Sequence, residues 1–274
     1  MRQGADPRGY GGHEYGGHGY ADAWRAEWIK ARTLASTGWL LAATVAAGVG
    51  LSAAVCAVAR YQTGGGLDPA RFALSGVQLA QALVAVWAVR AVSAEYRSGM
   101  IHTTLIAVPR RRAVLAAKAA VIAALTLAAG AVTVAVSLLI ARAELTVHGF
   151  AATNGRFPLL AGPTLRAAFG SVLYLGLIGI LAAGAALAVR DAAAATGIVL
   201  GLLYLFPLAA QLAGNAAWQR HLQQIGPTTA GLAVQATTNL STLPIQPWAG
   251  LAVLAGWSAA ALLAGGLVLH RRDS

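Results

Sequence analysis

At 274 residues, 58% hydrophobic and only 11% charged, the chain is too apolar for a soluble domain whose surface must face water, and it belongs in a bilayer. The formal charge of +11 does not by itself imply nucleic acid, because topology accounts for where the basic residues sit. A single cysteine, Cys56, excludes an internal disulfide and reads as a small packing residue inside an apolar run.

The first 20 residues carry the repeat YGGHEYGGHGY, which has no apolar face to bury, and they are predicted to be a disordered cytoplasmic tail. His13 and His18 lie five apart, off the common helical face that an HExxH zinc site needs, so no metal site is expected. Residues 21–38 form the next unit. Trp24, Trp28, Ala31 and Ala35 make one helical stripe, with Arg25, Glu27, Lys30 and Arg32 away from it. That pattern predicts an amphipathic helix along the headgroups, its rings at the interface and its basic side chains toward anionic lipid.

Residues 39–274 make the third unit. A membrane-crossing helix needs about 20 mostly apolar residues, and six such segments are present, at roughly 39–59, 72–92, 113–141, 166–189, 192–213 and 249–269. The first follows a long polar leader and is expected to be a retained span, not a cleaved signal. The segments are too long and too evenly apolar for barrel strands, so the fold class is an all-α, six-span membrane protein. Between spans five and six, residues 214–247 contain GLAVQATTNL, too short to cross but apolar enough to sit in the interface or re-enter. With the N-terminus inside, only Arg60, Arg71, Arg142, Arg156, Arg166 and Arg220 of the 20 basic residues fall outside. Both termini are therefore predicted to be cytoplasmic.

The densest polar stretch is AEYRSGMIHTTLIAVPRRR, residues 94–112, between spans two and three. Ser93 is placed to cap a short helix, with Glu95 near its positive end. Ile101, Leu105 and Val108 supply one apolar face, Pro109 a stop, and Arg110 to Arg112 the basic end. From these residues alone, the segment is either a docking helix or an ordinary inner loop whose arginines hold the spans in register.

That run, continued as AVLAAKA, together with AEWIKARTLASTGWLL and IQPWAGLAVLAGWSAAALLAGGLVLHRRDS, resembles the permease subunits of actinobacterial ABC-2-type ABC transporters, from about Trp24 to the end. The resemblance implies a coupling helix that docks on a separate ATP-binding subunit. It is carried by Glu95, Tyr96, Arg97, Ser98, Gly99, Met100, Thr103, Thr104, Pro109, Arg110 and Arg111; His102 departs from the basic residue expected there. It also implies a connecting helix built on Trp24, Glu27, Trp28, Lys30 and Arg32, and an extracellular re-entrant segment between spans five and six. The expected assembly is two permeases, identical or paralogous, with two ATPase copies. ATP and magnesium belong to those partners, and no cofactor belongs to this chain.

Family likeness further places spans two and five on the pathway, so Gln78, Gln81, Tyr204, Phe206 and Pro207 are candidate cargo contacts. The competing reading is helix packing, with Pro207 kinking span five. Gly197 and Gly201 suggest close packing of that span, and Lys118 is expected to snorkel to the inner headgroups.

What is missing narrows the choice. Neither lysine, Lys30 nor Lys118, follows a glycine, so no GxxxxGK[ST] loop exists and ATP cannot be hydrolysed here by that route. No GxSxG or HExxH appears. The spans carry no Asp, Glu or His at depth to ligate a coupling ion. The expected function is a non-catalytic permease subunit of an ATP-driven exporter in the cytoplasmic membrane, moving a hydrophobic or amphiphilic compound such as an antibiotic, lipid or peptide. The alternative is a scaffold or sensor that docks a cytoplasmic partner through residues 94–112.

Overall fold

The computed structural model describes residues 24–25, 27–29, 33, 35–59, 68–97, 111–147, 161–212 and 214–272. Among them there is no strand. The helices are α1 (Ala35–Val58), α2 (Pro69–Ala73), α3 (Val77–Arg97), α4 (Arg111–Val147), α5 (Gly162–Val189), α6 (Ala192–Leu200), α7 (Phe206–Leu212), α8 (Ala216–Ile225), α9 (Pro227–Gly231) and α10 (Pro247–Arg272). Six stretches are long and apolar enough to cross a membrane, with α2–α3 forming the second and α6–α7 the fifth. The chain is thus a multi-pass helical membrane protein.

The ends of these helices have local causes. Asp68 caps α2, accepting from the Ala70 amide at 3.1 Å, and Pro69 fills the first turn, where a missing N–H costs nothing. Asp191 does the same for α6, accepting from the Ala194 amide at 2.7 Å. Arg190, in the left-handed region at φ 62°, closes α5 and makes the two-residue reversal.

Lipid tails are as apolar as leucine, so close approach and interhelical hydrogen bonds hold such a bundle. At its centre, α5 packs against α10, α4 and α3, while α1 packs against α3 and α4. A Cβ on Gly76 would lie 1.7 Å from the Gly48 carbonyl oxygen, and one on Gly184 2.5 Å from the Ala261 backbone. The glycines at these crossings are what let the helices touch. Gly197 differs: a Cβ there meets nothing within 4 Å, and one on Gly201 meets only Leu205 at 3.8 Å. The close packing expected of these two is therefore absent among the described residues.

Two further expectations are corrected. Ser93 does not cap a new helix, because α3 runs unbroken from Val77 to Arg97 and buries Ser93 at 1% exposure. Glu95, Tyr96 and Arg97 belong to the last turns of the span-two helix, at its negative end and not at a positive one. Lys118 does not reach outward to headgroups; its Nζ lies 3.2 Å from Glu27 Oε2, with both side chains 9% exposed. Burial favours the ion pair over snorkelling, and it fastens the leader to α4. Trp24 and Trp28 stack with ring centroids 6.0 Å apart.

Candidate functional site

Two of the spans are interrupted, and the interruptions lie at the same end of the bundle. In span two the break is the turn Leu74–Gly76 between α2 and α3. Inside a membrane every backbone polar group needs a partner, so irregular backbone persists only where neighbours supply one. The Gly76 amide donates to Ser52 Oγ of α1 at 3.0 Å, and the Leu74 carbonyl accepts from Gln235 Nε2 at 3.3 Å. Gln235 also donates to Ser171 Oγ of α5 at 3.2 Å, which locks its amide in place.

Span five breaks at Pro207. The ring removes an N–H and crowds the carbonyl four residues earlier, that of Leu203. The helix answers with a π-helical turn over Gly201–Leu205, in which the Phe206 amide reaches back to the Gly201 carbonyl. The freed Leu203 carbonyl accepts from Thr228 Oγ1 at 3.0 Å. A threonine from another segment thus repairs what the proline breaks.

That segment follows span five. Helix α8 buries none of its residues; after it the chain turns inward through α9 and the 3₁₀ turn Leu232–Gln235, where most side chains are buried. It wedges between α5 and α10. A Cβ on Gly170 would strike Val234 at 2.1 Å, one on Gly231 Tyr174 at 2.6 Å, and one on Gly250 the Ala230 carbonyl oxygen at 2.0 Å. Gly170 and Tyr174 lie about 12 and 18 Å along α5 from Gly162 at 1.5 Å per residue, so the wedge lies alongside the first half of that span.

Two charged side chains tie the wedge down as it leaves. Asp68, besides capping α2, accepts from the Thr237 amide at 2.5 Å, Thr237 Oγ1 at 2.6 Å and the Thr238 amide at 3.2 Å. Arg166 Nη2 donates to the Ala236 carbonyl at 2.6 Å.

Between the two breaks and the wedge lies a cavity of about 360 Å³. Ser75 and Gln78 line it from span two, Pro207 and Gln211 from span five, and Gln223, Thr228 and Gln235 from the wedge side. Arg71 stands at its edge and also lines an adjoining space of about 330 Å³ beside Asp68 and Thr238. Interrupted helices that frame a polar cavity are a recurrent way for membrane proteins to offer binding groups within a span.

Of the residues marked from sequence, Gln78 and Pro207 line this cavity together. Tyr204 donates from its hydroxyl to the Gln78 carbonyl, linking spans five and two. Gln81 is fully buried and accepts from the Tyr174 hydroxyl, so the two glutamines serve different surroundings. Phe206 lies against Gly226, where a Cβ would come within 2.6 Å of its ring. Ser98, Gly99, Met100, Thr103, Thr104, Pro109 and Arg110 lie outside the described residues, as do Lys30, Arg32 and the tail at 1–20; Arg111 opens α4. Sequence reasoning missed Arg71, Gln211, Gln223 and the Asp68 clasp. An Asp-Pro pair opening an apolar run was the one legible signal for the clasp. The sequence matches no family model and no curated protein.

Proposed function

We propose that the chain is the permease subunit of an ATP-driven exporter of the ABC-2 type, in the cytoplasmic membrane with both termini inside. It carries a hydrophobic or amphiphilic compound outward and draws its energy from a separate ATP-binding subunit, which holds the ATP and magnesium. Two copies of that subunit and a second permease, identical or paralogous, complete the assembly, and membrane lipid surrounds it.

One observation carries the reading: α3 is a single uninterrupted helix of 21 residues with Gln78 of the cavity at one end and Glu95, Tyr96 and Arg97 at the other. At 1.5 Å per residue it spans about 30 Å, and a helix of that length moves as a rod. An ATPase that closes against residues 94–112 pushes on the near end of α3, and the far end shifts against Tyr204 and the cavity. Alternating access then amounts to a change in how α2, α3 and α7 stand around the cavity, biased by nucleotide through that one rod. The leader residues Trp24, Glu27, Trp28, Lys30 and Arg32 act as a connecting helix, which the Glu27–Lys118 pair joins to the helix that follows residues 94–112.

The test is a mild-detergent pull-down of the tagged chain from its native membrane, run beside Glu95→Arg. Recovery of a soluble subunit bearing GxxxxGK[ST], weakened by the substitution, is the expected result. Vesicles holding both subunits should then show ATP-dependent flux that Glu95→Arg uncouples from ATP turnover. Repeated recovery of another partner and no ATP-binding subunit sinks the exporter and leaves a docking scaffold.

A further inference from the structure

The groups around the cavity differ in whether the fold already uses them. Ser75 Oγ donates to the Phe72 carbonyl at 2.9 Å, Thr228 to Leu203, and Thr229 to the Gln223 carbonyl at 2.8 Å. Both bonds from the Gln235 amide are also taken. These side chains build the walls. Four others have no side-chain hydrogen bond or ion pair to any described residue: the Arg71 guanidinium and the amides of Gln78, Gln211 and Gln223. They come from α2, α3, α7 and α8, so four separate elements line one space with polar side chains that no other described side chain or backbone group engages.

The charge of that space is one-sided. Among the described residues, no acidic one lines it. Asp68, which shares the adjoining space with Arg71, already receives the Ala70, Thr237 and Thr238 amides and the Thr237 hydroxyl. Its four acceptor positions are filled, and no described residue accepts from the five donors of the guanidinium. A planar fork beside three amides matches an oxyanion, which accepts two parallel bonds from arginine and further bonds from neutral donors. A cation or a purely apolar solute leaves these donors unmet.

The remaining wall is apolar, with Leu232, Leu243 and Pro207. On α7, one residue beyond Pro207 and Gln211, come Leu208 and Leu212, 52% and 77% exposed. A polar head seated at Arg71 therefore has an apolar track beside it along span five. We propose that this cavity takes the anionic head, carboxylate or phosphate, of an amphiphile whose tail lies along the Leu208 and Leu212 face. Naming that amphiphile as exported cargo rests on the permease reading, whereas its binding does not.

The full chain in nanodiscs of phosphatidylcholine is titrated with octyl phosphate, octanoate, octanol and inorganic phosphate. The first two should saturate one site per chain, with octanol and inorganic phosphate at least about tenfold weaker, as expected for a charge-assisted contact aided by an apolar tail. Arg71→Gln should weaken octyl phosphate about tenfold or more, Arg71→Lys less, and Gln211→Leu by a smaller factor. Both positions are exposed, so folding is expected to persist, and Arg220→Gln on α8 serves as the arginine control outside the cavity.

Equal binding of octanol and octyl phosphate, equal binding of inorganic phosphate, or unchanged affinity in Arg71→Gln overturns the assignment. Discs with phosphatidylglycerol separate the two sources of such a head: weakened octyl phosphate binding identifies the bilayer's own lipid, and unchanged binding an amphiphile that arrives from solution. Both keep the anionic site. Intact binding without ATP-driven flux of octyl phosphate in vesicles removes the exporter reading and leaves the site standing.

Discussion

Spans four and five are almost equally apolar in sequence, yet 61% of the most apolar stretch of span four is buried and only 17% of that of span five. Span four, α5, is an uninterrupted helix in which every glycine after Gly162 is met by a neighbour: Gly170 by Val234, Gly176 by Leu127, Gly179 by Thr126, Gly184 by the Ala261 backbone. Span five is broken by a π-helical turn, and among the described residues nothing comes within 4 Å of a Cβ on Gly197. The difference teaches that apolarity says a helix enters the membrane, while its role depends on what stands against its small residues. Span four is enclosed by the rest of the bundle, and span five turns most of its surface outward.

Alanine at one glycine of each span tests this most severely. Gly184→Ala forces two backbones apart and is expected to cost about 2–3 kcal/mol of stability in the folded bundle. Gly197→Ala fills empty space and removes a flexible residue from a helix, so it should gain about 0.5–1 kcal/mol. Unfolding titrations in detergent read both, and equal effects at the two sites end the distinction between enclosed and outward-facing span.

The next contrast is between two tyrosines. Tyr174→Phe leaves the acceptor of a fully buried Gln81 without its donor, at a cost of about 1–3 kcal/mol. Tyr204→Phe, at a site 41% exposed, should cost less than about 1 kcal/mol, while altering any motion that needs spans two and five linked. Stability measured by thermal unfolding separates the pair.

The third contrast concerns the break itself. Thr228→Val strips the Leu203 carbonyl of its donor and should cost about 1 kcal/mol. Adding Pro207→Ala restores an N–H to that carbonyl, so the double variant should be more stable than Thr228→Val alone. A double-mutant cycle with no coupling shows that the threonine does not repair the proline's break.

How much of this could be read beforehand varies by residue. The six spans were legible, because about 20 apolar residues in a row allow little else. Pro207 announced an interruption of span five by its chemistry alone. The wedge between α5 and α10 was half legible: its length and apolarity ruled out a crossing, but the neighbours that hold it, Asp68 and Arg166, are 169 and 70 residues away in sequence. Ser93 misled because serine caps helices often, and only the surroundings reveal that this one lies inside α3. Gln78 and Gln81 share a helical face in projection, yet the cavity edge passes between them, and no periodicity locates such an edge. Gly184 and Gly197 look alike in sequence for the same reason.

The Asp68 clasp has a consequence for how the protein is made. Its carboxylate emerges from the ribosome long before Thr237 and Thr238, so until span five is complete it has only its cap to the Ala70 amide. Arg166 waits likewise for Ala236. The cavity end therefore closes only near the finish of translation, and a chain cut short before residue 236 leaves Asp68 and Arg166 without the wedge partners that hold that end together.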